Sequence, residues 1–244
     1  MLCDTQSHLT LCCSLAAFRY VHFPAASAPD TAYWDGNDYI LLARVPPHAI
    51  LNRSAYEFYC AVDCAANAHM EVIGGRRTGG AAGQGGWAVP RIVWLADDAR
   101  ATPVFSHRHM TGQDHTVYVP ALRRYILPNY GFLDPRSGLP GGWHQIYDGG
   151  ITPVGQLALL ESAHPWGPWA LFHLEQPWNW EGGHAAYSPD LPQKWASADG
   201  RTLAMVSSAC CGAPGYTYHV TTLQLTLNGS SSGGGCEHPW SLRK

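Results

Sequence analysis

The feature that most restricts the fold of this chain is its punctuation. Short runs rich in β-branched and aromatic residues recur from Tyr39 onward, and glycine or proline stops each one before it reaches helical length. Residues 39–45 end at Pro46-Pro47, and further runs lie at 56–62, 91–95, 116–119, 124–127, 156–160 and 169–174. Residues 202–207 pair in expectation with the stretch where Leu223, Leu225 and Leu227 alternate with Gln224 and Thr226, the pattern of a strand with one solvated face. With 26 Gly, 18 Pro, 10 Trp and 12 Tyr and no amphipathic helical period, an all-β, antiparallel architecture follows.

Three similar units can be marked out, at 39–105, 118–174 and 194–227. Radial repetition of small sheets is one way for such a chain to protect its strand edges, so the predicted domain is a β-propeller over residues 31–228. Residues 1–30 show no clear periodicity and read as an irregular arm or a poor signal peptide, with an apolar run at 9–18 but Asp4 and no basic residue before it. Residues 74–86 read as a flexible glycine-rich insertion, because the Gly-Lys-Ser/Thr ending of a phosphate-binding loop is missing. Residues 229–244 read as a flexible tail.

A net charge of −3 without a run of Lys or Arg argues against nucleic acid as a partner. No stretch approaches the roughly 20 apolar residues of a membrane-spanning helix. The cysteines (Cys3, Cys12, Cys13, Cys60, Cys64, Cys210, Cys211 and Cys236) form no CxxC pair, so both disulfides in an exported chain and buried thiols stay open. Asn52-Arg53-Ser54 and Asn228-Gly229-Ser230 are N-glycosylation triplets, which matter if the chain enters a secretory or extracellular compartment.

Six words then stand in order: Trp34-Asp35-Gly36-Asn37-Asp38-Tyr39, Leu42-Ala43-Arg44-Val45-Pro46, Ser54-Ala55-Tyr56-Glu57-Phe58, Tyr118 through Tyr125, Glu161 through Trp169, and Lys194-Trp195-Ala196-Ser197-Ala198-Asp199-Gly200. Together they resemble the propeller family described as domain of unknown function 4185, itself similar to the five-bladed glycoside hydrolases of family 43. The resemblance implies a five-bladed β-propeller of which about three blades fit within this chain. It also implies that an essential carboxylate of the hydrolases lies upstream, and hence weak or absent catalysis.

Glycoside hydrolysis needs two carboxyl groups facing each other across the scissile bond. Glu57, set between Tyr56 and Phe58, is one candidate, since an apolar setting favours a general acid; a hydrogen-bond acceptor between blades is the alternative. Asp35 follows an indole on which a sugar could stack, or else caps the turn at Gly36. Glu161 precedes the Pro165-Trp166-Gly167-Pro168-Trp169 turn and either points into a pocket or secures that turn.

Trp34, Trp143, Trp178 and Trp180, with His107 and His184, are the expected sugar contacts, the stretch 176–184 above all, because it is aromatic and polar together. For Trp166 and Trp169 packing between blades is preferred. His107 and His109 would share a face on a regular strand, with Asp114 and His115 nearby, yet no open ligand set is evident and neither a metal nor another cofactor is expected. The expected partner is a polysaccharide or oligosaccharide, either hydrolysed or bound without turnover.

Overall fold

The computed structural model describes residues 18–25, 37–61, 92–112, 115–142, 146–147, 150–180, 184–209, 217–227 and 240–243. Trp34, Asp35, Trp143, Asp114, Asn228, the glycine-rich stretch 74–86 and every cysteine but Cys60 lie outside these residues. Among the described residues no helix is long and apolar enough to cross a membrane.

The strands form three antiparallel sheets, each built on a four-stranded meander. The first joins β1 (Arg19–Ala25), β2 (Asn37–Val45), β3 (Glu57–Ala61) and β4 (Ile92–Leu95) in chain order, with β5 (Phe105–Thr111) added on β2. The second contains β6 (Val117–Val119), β7 (Arg124–Leu133), β8 (Pro140–Gly141), β9 (Val154–Ser162) and β10 (Ala170–Glu175); its main path runs β6-β7-β9-β10 and β8 pairs with β7. The third joins β11 (Ala186–Asp190), β12 (Thr202–Ala209), β13 (Thr217–Leu227) and β14 (Trp240–Arg243).

The second sheet is the middle layer, buried on both faces. Its central strands β7 and β9 carry almost continuous apolar runs, as double burial demands. Tyr125 and Leu127 of β7 and Ala158 and Leu160 of β9 pack with Ile40, Leu42 and Tyr59 of the first sheet. Their neighbours Ile126, Tyr130, Phe132, Leu157 and Leu159 pack with Leu203, Met205, Leu223 and Leu225 of the third. Strand alternation therefore divides one sheet between two cores, and loss of any of these buried Leu side chains would cost about 2–5 kcal/mol.

The turn Pro165-Trp166-Gly167-Pro168-Trp169 fastens the first two layers together. Trp169 is buried in their shared core, Trp166 meets Trp94 of β4 edge-on at 6.4 Å, and the ring of His22 in β1 lies 2.6 Å from the Pro165 carbonyl oxygen through Nε2. Packing is thus what these two tryptophans do, as the sequence suggested. Beside them, burial raises the Tyr125 hydroxyl to about 12, with Tyr20 and Tyr118 close by adding to the effect.

The third sheet docks on the second partly through a turn. Asp199 accepts from the Ser197 hydroxyl at 2.6 Å and from the Arg201 amide at 3.1 Å, contacts that hold its carboxyl below the usual range. Gly200 follows at φ +70°, and a Cβ there would lie 2.8 Å from Val119 Cγ1, so both conformation and space call for glycine.

Two expectations need correction. The stretch 1–30 is not wholly irregular, because Arg19–Ala25 pairs with β2 from Arg19↔Val45 through Ala25↔Tyr39. Tyr20 and His22 point to the core while Val21 and Phe23 point away, and apolar groups on both faces erase the period-2 signal. Likewise the tail contains β14, which pairs with β13 from Gln224↔Arg243 to Leu227↔Trp240. β7 also runs on through Pro128, past the point where β6 stops opposite Ile126 and one ladder has ended.

Candidate functional site

Of the three candidate carboxylates, Glu57 and Glu161 lie among the described residues, and they face different layers. Glu57 lies directly opposite Arg44 in the β2–β3 ladder, on the face turned toward the middle sheet; Arg44 Nε donates to its Oε2 at 2.7 Å and Nη2 lies 2.6 Å from the same oxygen. The guanidinium is in turn stacked 4.3 Å from the Trp94 ring centroid. Glu57 therefore belongs to a cation-π and ion-pair ladder inside the first sheet.

Glu161 sits in β9 opposite Ile126, on the face that packs against the third sheet, 3.7 Å from Arg124 Nε. The middle sheet consequently stands between Glu57 and Glu161.

The histidines are parted by the backbone. His109 has φ +56°, which breaks the strand alternation that would align it with His107. Its amide donates to Asp38 Oδ1 at 3.0 Å and its Nδ1 lies 3.5 Å from the same oxygen, so it clamps β5 to the buried carboxylate of β2. The His107 carbonyl accepts from the Thr111 hydroxyl at 3.0 Å. Among the described residues no group of three or more His, Cys, Asp or Glu is arranged to hold a metal ion.

The aromatic stretch divides as well. Trp178 is 3% exposed and fills the core between the second and third sheets, 6.3 Å from the Tyr130 ring, so it presents no face to a sugar. Trp180 is half-buried; its indole Nε1 donates to the Ser208 carbonyl at 3.4 Å and its ring stacks on His219 at 3.5 Å. The carbonyl of His184 accepts from the Trp180 amide at 2.7 Å and closes this loop.

A polar recess of about 230 Å³ does open along the third sheet, at the β11 edge. Tyr187, Ser188 and Asp190 of β11, Ser208 of β12 and Tyr218 of β13 line it, with His115 reaching across from the segment before β6. The register sets Tyr187 opposite Ser208 and Ser208 opposite Tyr218, which brings two phenols and a hydroxyl into one row. Ser188 has φ +52° at a break in the β11–β12 register, an unusual conformation for a residue with a Cβ. His115 Nδ1 lies 3.9 Å from Asp190 Oδ1, an exposed pair worth little energetically but one that aligns a carboxylate at the mouth.

Compared with known proteins, the chain matches no family model and no curated protein.

The recess offers hydroxyl groups, a carboxylate and the exposed ring of Tyr218, with Tyr187 at its margin also packed against the core. Sequence reasoning passed over Tyr187, Ser188, Asp190, Ser208 and Tyr218. Their only local signal is the word Tyr187-Ser188-Pro189-Asp190; what unites them is cross-strand register, Tyr187 with Ser208 and Ser208 with Tyr218, which no spacing rule expresses.

Proposed function

We propose that this protein is a noncatalytic glycan-binding chain, its sheets the blades of a β-propeller, which holds one ring of an oligosaccharide in the recess of Tyr187 and Tyr218. The observation that carries this reading is the coincidence in one small recess of two phenol rings with Ser188, Asp190 and Ser208. At about 230 Å³ it falls below the roughly 300–1,000 Å³ of sites that enclose drug-sized ligands, which suits a single sugar unit. Three face-to-face four-stranded meanders agree with blade packing. Binding is favoured over hydrolysis because the middle sheet separates Glu57 from Glu161, whereas the two carboxyls of a glycosidase stand about 5–10 Å apart. A secretory or extracellular location goes with such a ligand.

Calorimetric titration of the whole chain with arabinan- and xylan-derived oligosaccharides tests the reading. The expected result is saturable heat, with binding weakened at least tenfold in Tyr218→Ala and no sugar released on prolonged incubation. Release that disappears in Glu57→Gln or Glu161→Gln would establish hydrolysis in its place, and no heat with any saccharide would remove the glycan altogether.

A further inference from the structure

A second opening among the described residues is of a different kind. On the outer face of the first sheet Val21, Phe23, Ala43 and Phe58 form the floor of an apolar recess of about 440 Å³, and Ile50 and Leu51 form its rim. Leu51 is 99% exposed and Ile50 49%, an unusual outlay of aliphatic surface for a turn. Asn52-Arg53-Ser54 follows at once.

The turn presents this triplet in a defined shape. Asn52 is in extended backbone before the short 3-10 turn Arg53–Ala55, and its Oδ1 accepts from the Ser54 amide at 3.1 Å and the Ser54 hydroxyl at 2.8 Å. Both contacts use Oδ1 and neither uses Nδ2. The base of the turn is held by Asn52 N to Ala49 O at 2.8 Å, Ala55 N to Asn52 O at 3.0 Å and the Tyr56 hydroxyl to Ile50 O at 2.8 Å. Residues 51–54 are all exposed.

We propose that Asn52 is an N-glycosylation site and that its glycan covers the Ile50–Leu51 rim of the apolar recess. The inference rests on the secretory location included in the reading above, and not on the sugar-binding recess. In the transfer, Asn52 Nδ2 forms a bond to the anomeric carbon of an oligosaccharide carried on a polyprenyl diphosphate. The carbon–oxygen bond to the diphosphate breaks, the lipid diphosphate departs with the electron pair, and one amide proton passes to a base of the transferase. The Ser54 hydroxyl and amide both bond Oδ1, so Nδ2, the atom that the Asn-x-Ser acceptor triplet modifies, is not engaged by either contact. Once attached, the first sugar lies beside Leu51, where its C–H face can cover aliphatic surface that water otherwise meets.

The full chain, translated behind a cleavable leader into endoplasmic-reticulum microsomes, provides the test. A mobility shift reversed by an amidase that releases N-glycans, with peptide mapping that finds Asp at position 52 after release, is the expected result; Asn228 is mapped separately. Asn52→Asp keeps the oxygen acceptor for Ser54 and must lose the glycan at this position, as must Ser54→Ala, whereas Ser54→Thr must retain it. Translocated chain with Asn52 unmodified overturns the proposal. Glycan removal under native conditions should raise the fluorescence of a hydrophobic dye, and an unchanged signal overturns the covering role. Glycan at Asn52 in a chain that binds no saccharide would leave this inference standing and the sugar-binding reading refuted.

Discussion

Arg44 and Glu57 are direct cross-strand partners in the β2–β3 ladder, with Nε 2.7 Å from Oε2 and the same guanidinium 4.3 Å from the centroids of Phe18 and Trp94. The pair itself is partly solvated and contributes about 0–1 kcal/mol, while the stacked guanidinium and its aliphatic stem contribute more. Urea denaturation should find Glu57→Gln within about 1 kcal/mol of the parent and Arg44→Ala lower by about 2 kcal/mol. Equal losses in the two variants would assign the energy to the ion pair rather than the stack.

His22 makes stability depend on pH. Burial lowers its pKa to about 4, against the upward pull of the Pro165 carbonyl. The unfolded chain binds a proton below about pH 6.5 while the folded ring stays neutral, so the unfolded state is favoured as pH falls from 6.5 toward 4 and the effect levels off below that. A loss of roughly 3 kcal/mol across that window is expected. Chemical denaturation at stepped pH should give this slope, and His22→Gln should flatten it.

Gly155 leaves no room for a side chain. A Cβ there would lie 2.3 Å from the Trp178 carbonyl oxygen, and the Trp178 amide already donates to the Gly155 carbonyl at 2.7 Å. Gly155→Ala must force β9 and the Trp178 segment apart, at a loss of about 2–3 kcal/mol and a changed near-ultraviolet circular dichroism. Gly138, at φ +68° with no atom within 4 Å of the added carbon, offers the contrast: Gly138→Ala should lose only about 1 kcal/mol through backbone strain.

Tyr218 is 77% exposed on the outer face of β13, so its removal should leave the melting temperature within about 1–2 °C of the parent. Under the proposed function the same Tyr218→Ala chain should bind oligosaccharide at least tenfold more weakly, by about 1.4 kcal/mol. Weaker binding with a large drop in melting temperature would mean that Tyr218 supports the fold instead.

Most of the strands were legible because they repeat a local signal. The runs at 39–45, 56–62, 124–127, 156–160, 202–207 and 223–227 all fall in or across strands, and the three marked units each lie largely within one of the three sheets. β1, β5, the two-residue β8, β11 and β14 escaped notice. β1 carries apolar groups on both faces, Phe105–Thr111 reads as a histidine cluster, and β11 holds Pro189 beside a register break at Ser188.

The amino-acid order alone pointed to short antiparallel strands and to packing roles for Trp166 and Trp169, because both are written in residues close together along the chain. Which faces those strands show to one another was decided by tertiary structure: Glu57 and Glu161 ended on opposite sides of the middle sheet, His109 left the line of His107, and Tyr187 met Ser208 and Tyr218. The reason is that a strand's period of two sets only which residues share a face, while the partner of each face depends on register and layer order, quantities fixed by contacts across the whole chain.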